Sequence, residues 1–290
     1  MKKLLVSVIF VCAIAQVTLG QITAPAPSPG ATVTQKVGIA DVTINYSRPS
    51  MKGRKIFGDL LPFDKIWRTG ANAPTKLTIS DTVSIEGTKL TPGDYAIYTI
   101  PGASEWTVII GKNTKAQAQD YKDEQQAARF KVKPTTLCAP VETFTFDFTD
   151  VAQGSANITL SWENTGVKFK IVNDYDAKVM ADIKQKTENT NTYFQAANYY
   201  YENNRDLKQA LEWINKATEK GGMFFQVYLK AEIQEKLGDY NGAIETANKS
   251  LELSKTAKND DYIKRNETLI AECKAKASAQ APTETKKKKK

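Results

Sequence analysis

The 290-residue chain contains no histidine. That absence removes Ser-His-Asp and Cys-His nucleophile systems and every His-ligated metal site. Cysteine is almost as scarce: of Cys12, Cys138 and Cys273, the first falls inside an apolar N-terminal segment. Two remaining cysteines, one in each half of the chain, exclude a disulfide framework and leave a single Cys138–Cys273 bridge open. No apolar run reaches the ~20 residues that a membrane-spanning helix needs, so no transmembrane segment is expected. The run from Leu4 to Ala15 follows Lys2 and Lys3 and gives way to small residues ending at Gly20. Those are the marks of a signal peptide over 1–20, and they predict an exported protein, periplasmic or secreted. Cys12 follows Val11 inside the run rather than a small residue at its end, which argues against a lipid anchor.

Positive charge is also sparse where it would matter. The net charge is +8, but two lysines sit in the leader and five form the run 286–290; without those seven it falls to +1. A basic nucleic-acid face is therefore not expected. The lysine run follows "SAQAPTET", and 278–290 reads as a disordered tail. No cofactor is implied.

What is present is two kinds of periodicity. From about 33 to 172 apolar residues alternate. In "ETFTFDFTD" Phe144, Phe146 and Phe148 share one face; Ile158, Leu160 and Trp162 follow suit, then Val167, Phe169 and Ile171. The "NTG" at 164–166 predicts a hairpin between these last two. Further strands are expected at 33–38, 42–47, 76–80, 83–86, 94–100, 106–111 and 129–133. Tyr95 and Ile97 oppose Tyr98 and Ile100, the pattern of a strand covered on both faces. The prediction for 21–172 is an antiparallel β-sandwich or barrel-like domain.

From about 174 the spacing becomes helical, with no proline until Pro282. "NNRDLKQALEWINKA" aligns with "KLGDYNGAIETANKS" at a period of 33, setting Asp206 on Asp239 and Ala210 on Ala243. The period approaches that of tetratricopeptide repeats, and "LGDYNGAIETANKSLEL" resembles their second helix with the turn before it. An all-α repeat domain is expected over 173–277, with flanking helices at about 175–188 and 259–277. The fold class is thus α+β in two domains, the helical one open to a protein partner.

Residues 47–54, "SRPSMKGR", and 67–72, "WRTGAN", carry the candidate site. Arg48, Lys52, Arg54 and Arg68 supply donors, Trp67 a stacking face and Asn72 an amide, a set suited to a small polar or anionic ligand. The competing reading makes the arginines clamps on a long connection through Asp59, Asp64 and carbonyl oxygens. A carboxylate-dependent hydrolase would draw on Asp59, Asp64, Asp94 and Glu105, though no spacing selects a pair. A cell-envelope assembly protein is a further alternative.

"NYSRPSMKGRKIFGDLLPFDKIWRTGANAPTKLTIS" with "IEGTKLTPGDYAIYTIPGASEWTVII" resembles an exported family of Bacteroidetes-type bacteria, the domain of unknown function numbered 2911, over about 22–172. The resemblance implies a compartment and a shared fold, with helical repeats often following, but no activity. Where that family tends to keep a tryptophan and a glycine after "WTVII", this chain has "GKNTKAQAQDYKDEQQAARF", expected to be helical at 115–127.

Overall fold

The structure, a computed structural model, describes residues 24–280. The expected leader at 1–20 and the lysine run at 286–290 lie outside the described residues. The chain forms two compact units, divided between Tyr175 and Asp176.

Among the described residues the first unit contains ten strands: β1 (Gly30–Val37), β2 (Ala40–Ser47), β3 (Thr75–Ile79), β4 (Val83–Ile85), β5 (Thr88–Leu90), β6 (Gly93–Ile100), β7 (Trp106–Gly111), β8 (Gln126–Val132), β9 (Thr135–Ala152) and β10 (Ser155–Val172). One sheet runs β1-β2-β3-β6-β7-β8 and the other β5-β4-β10-β9. Every pairing between these strands is antiparallel. Alternation decides the inner face. Val42, Ile44 and Tyr46 of β2, Leu77 and Ile79 of β3, and Val108 and Ile110 of β7 meet Phe144 and Phe146 of β9 and Leu160 and Phe169 of β10 in one core. The unit is a β-sandwich. Each large aliphatic or aromatic side chain so buried contributes roughly 1.5–3 kcal/mol. β6 is apolar on both faces for a reason: Tyr95 and Ile97 enter the core between the sheets, while Ala96 and Tyr98 form an outer cluster with Ile109 that Tyr121 packs against.

Two local expectations are corrected here. The "NTG" at 164–166 is not a hairpin, since β10 is one continuous strand of 18 residues. Its inward triads, Ile158-Leu160-Trp162 and Val167-Phe169-Ile171, are out of phase by one residue, and the strand restores phase with a bulge. Glu163 has φ +55°, and the β9 register shifts on both sides of it. Between the Ser161–Thr145 and Thr165–Thr136 pairs the extra residues lie on β9, and at this irregularity the buried face of β10 changes phase. The helix expected at 115–127 is also absent. That segment holds two single 3₁₀ turns, Ala118–Asp120 and Asp123–Gln125, and its end joins β8. With only Ala116 buried, it has no apolar stripe to hold a helix, and helices this short are marginal without one.

The second unit is all-helical: α1 (Asp176–Lys186), α2 (Thr190–Glu202), α3 (Leu207–Thr218), α4 (Phe224–Lys236), α5 (Tyr240–Thr256) and α6 (Asp260–Gln280). α6 continues to Gln280, so the boundary expected at 277 moves outward. The 33-residue correspondence reappears as geometry. Asp206 caps α3 by accepting from the Lys208 and Gln209 amides, and Asp239 caps α5 by accepting from the Gly242 amide. Ala210 and Ala243 are both fully buried, where a small side chain lets helices approach closely. No helix among the described residues is long and apolar enough to cross a membrane.

Candidate functional site

The two basic loops do meet, and they meet on β9. Pro49 O accepts from the Phe144 amide at 2.9 Å and the Met51 amide donates to Glu142 O at 2.8 Å, around a bridge between Ser50 and Thr143. "RPSM" thereby covers β9, the last strand of its sheet, whose unpaired groups would otherwise invite another strand. Arg48 extends the cover: its Nε donates to Phe144 O at 3.1 Å and its Nη2 to Thr145 Oγ1 at 2.7 Å. A carbonyl and a hydroxyl, rather than Asp59 or Asp64, satisfy this guanidinium. Arg54 staples its own turn, donating to Met51 O and Ser50 O. Lys52 sits at φ +52° with its amide on Glu142 Oε1 and its side chain exposed.

Beyond the turn the connection enters the core. Ile56 and Phe57 are buried there, and their amides donate to Glu163 Oε2. The bulge residue thus anchors the loop as well. Trp67 is only 6% exposed. Its ring stacks on Trp162 at 5.9 Å and meets Phe144 edge-on at 5.1 Å, so neither is left open as a ligand platform. Its backbone exchanges two hydrogen bonds with Thr99 of β6, and its Nε1 donates to Gly70 O. "WRTGAN" closes on itself: Thr75 Oγ1 donates to Thr69 O at 2.6 Å, and Thr69 and Asn72 take φ of +55° and +60°. Asn72 Nδ2 reaches Ser28 O and Ser47 Oγ, the residue before Arg48. Arg68 differs from the rest. It is half-buried, and its Nε has no hydrogen-bond partner among the described residues.

The carboxylates considered for hydrolysis do not converge as one set. Asp94 binds Thr78 and Lys76 at the start of β6, and the Thr78 hydroxyl holds its pKa below the ordinary value. Glu105 pairs with Lys131 just before β7, at the opposite end of the β6–β7 hairpin. Six strand residues span about 20 Å, beyond the ~5–9.5 Å of paired glycosidase carboxylates. Cys138 is an exposed free thiol and Cys273 a buried one whose pKa burial pushes up. No cluster of three potential metal ligands occurs among the described residues.

A groove that the sequence reading missed lies on the helical unit. It has a volume of about 450 Å³ and is lined by Tyr201 at the end of α2, Tyr228, Glu232 and Glu235 of α4, and the outward face of α6 around Arg265 and Thr268. Tyr228 and Glu232, four residues apart, share one face of α4. Burial raises the Glu232 pKa above the ordinary glutamate value, partly offset by the Tyr228 and Tyr201 hydroxyls directed at it and by the charges of Arg265 and Lys236. Burial and the same carboxylate push both tyrosines up. The i, i+4 spacing of Tyr228 and Glu232 was visible in the sequence; the approach of Tyr201 from another helix was not.

No curated protein and no solved structure matches the chain. The connection from Arg48 to Asn72, with the strands it fastens, falls within a family match that covers residues 28–171. Those residues belong to the family described as "Protein of unknown function (DUF2911)".

Proposed function

We propose that this is an exported, non-enzymatic binding protein in which the helical unit receives a polypeptide partner and the β-sandwich is the carrier. The observation that carries this reading is the groove across α2, α4 and α6, which puts two tyrosines and a half-buried carboxylate beside open space. Helical repeats commonly present such faces to extended peptides. Selection from a random nonapeptide library on the intact chain tests it. Binders should emerge, and Thr268→Trp, which fills the groove from an exposed position, should lose them. An empty selection, or binders indifferent to Thr268→Trp, would sink the reading.

Arg68 supports a second reading, in which a small anionic ligand takes the Nε that no described residue satisfies. A thermal-shift screen against phosphorylated metabolites, with Arg68→Gln alongside, tests it. A hit lost in the variant supports an anion site; an unchanged melting point across the screen removes it.

A further inference from the structure

We infer that the groove selects a basic segment of its polypeptide partner, with Glu232 receiving a lysine or arginine side chain between Tyr201 and Tyr228. The inference deepens the polypeptide-binding reading and rests on it. The charge of the wall sets the sign of the guest. Four carboxylates line the groove, Glu232, Glu235, Asp261 and Glu272, against two cations, Lys264 and Arg265.

Their pairings are unequal. Asp261 is held by Arg265 at 2.9 Å, and Glu235 by Lys276. Glu232 and Glu272 have no ion pair within 4.0 Å among the described residues, and of these two Glu272 is exposed whereas burial dominates the surroundings of Glu232. A carboxylate drawn from water whose close partners are hydroxyls, with the Arg265 and Lys236 charges beyond ion-pair distance, is under-compensated. An incoming ammonium or guanidinium supplies the missing charge and adds charge-assisted hydrogen bonds.

The rings favour the same guest. A cation over a tyrosine face is attracted by the ring quadrupole. The wall already shows this chemistry: Lys236 Nζ lies 4.1 Å from the Tyr201 ring centroid, and Arg265 lies 5.2 Å from that of Tyr262. An acidic guest would instead meet Glu232 at close range, and of the two lining cations Arg265 is already held by Asp261.

The experiment is the nonapeptide selection on the intact chain, run in parallel on Glu232→Gln. Peptides selected on the native chain should be enriched in lysine and arginine over aspartate and glutamate. Replacing the key lysine of the strongest binder by norleucine should weaken it about tenfold, the scale of one charge-assisted contact. On Glu232→Gln the lysine and norleucine peptides should bind alike. Binders without a basic preference, or a preference that survives in Glu232→Gln, would overturn the inference while leaving peptide binding in place. Failure to select any peptide would overturn both.

Discussion

At the scale of single residues, Arg48 and Arg54 look equivalent in the sequence and do different work in the structure. Arg48 is half-buried and satisfies a carbonyl and a hydroxyl on β9, whereas exposed Arg54 bonds only its own turn. Arg48→Ala should therefore cost about 1–3 kcal/mol in urea unfolding, because it strands Phe144 O, and Arg54→Ala under about 1 kcal/mol. Equal effects would remove the clamp role. Glu232 and Asp176 give a second test, with opposite signs. Glu232 has a raised pKa in the folded state, so the folded chain holds its proton more tightly than the unfolded chain. Its contribution favours folding at low pH and is lost as pH rises from the ordinary glutamate value through the raised one. Asp176 is lowered by hydrogen bonds from Arg205 and Tyr199, so its contribution is present above the ordinary aspartate value and disappears as pH falls below it. Between pH 4 and 7, Glu232→Gln should lose less stability than the native chain as pH rises. Asp176→Asn should lose the acid-side weakening instead. Parallel pH profiles for the variants and the native chain would contradict both assignments.

At the scale of elements, the sequence made the inward residues of β2, β6, β9 and β10 legible, because alternation reports burial directly. It could not say whether two out-of-phase triads belong to two strands or to one strand with a bulge. "NTG" has turn composition, but β10 stays extended because β9 pairs with it at Glu163, Thr165 and Gly166. Trp67 was read as an available face for a similar reason. Lys65, Arg68 and Thr69 around it are polar, and only the tertiary approach of Trp162 and Phe144 shows that it is core. The bulge can be tested as a register device. Deleting Glu163 should send Val167, Phe169 and Ile171 to the solvent face and abolish the folded sandwich, seen as loss of its near-ultraviolet circular dichroism. Glu163→Gly should stay folded, since glycine accepts φ +55°, at a cost of about 1–3 kcal/mol for the lost bonds to Ile56 and Phe57. A deletion mutant with native dichroism would show that register is set elsewhere. The helix caps are the parallel case in the second unit. Asp206 and Asp239 were aligned by sequence alone and prove to cap α3 and α5, because a short acceptor at a helix start has one favoured partner set, the amides just inside it.

At the scale of the whole molecule, the hydrophobic cores fall on separate sides of the division at Tyr175. The sandwich core and the outer cluster on β6 draw only on residues before it, and the two helical cores, one around Ile214 and Ile233 and the other around Ala243 and Cys273, only on residues after it. Cooperative unfolding follows the core, since breaking one set of packed side chains exposes the rest of that set. Two sets should give two transitions, and a single free energy of unfolding would then be undefined for the full chain. Differential scanning calorimetry of the intact protein should resolve two endotherms, and single substitutions should identify them. Arg48→Ala should lower only the sandwich transition. Asp239→Ala, worth about 0.5–2 kcal/mol as a lost cap, should lower only the helical one, by several degrees for a unit of this size. If either substitution moved both endotherms together, the two cores would be melting as one, and the helical unit could not be treated as a binding element carried by an independent sandwich.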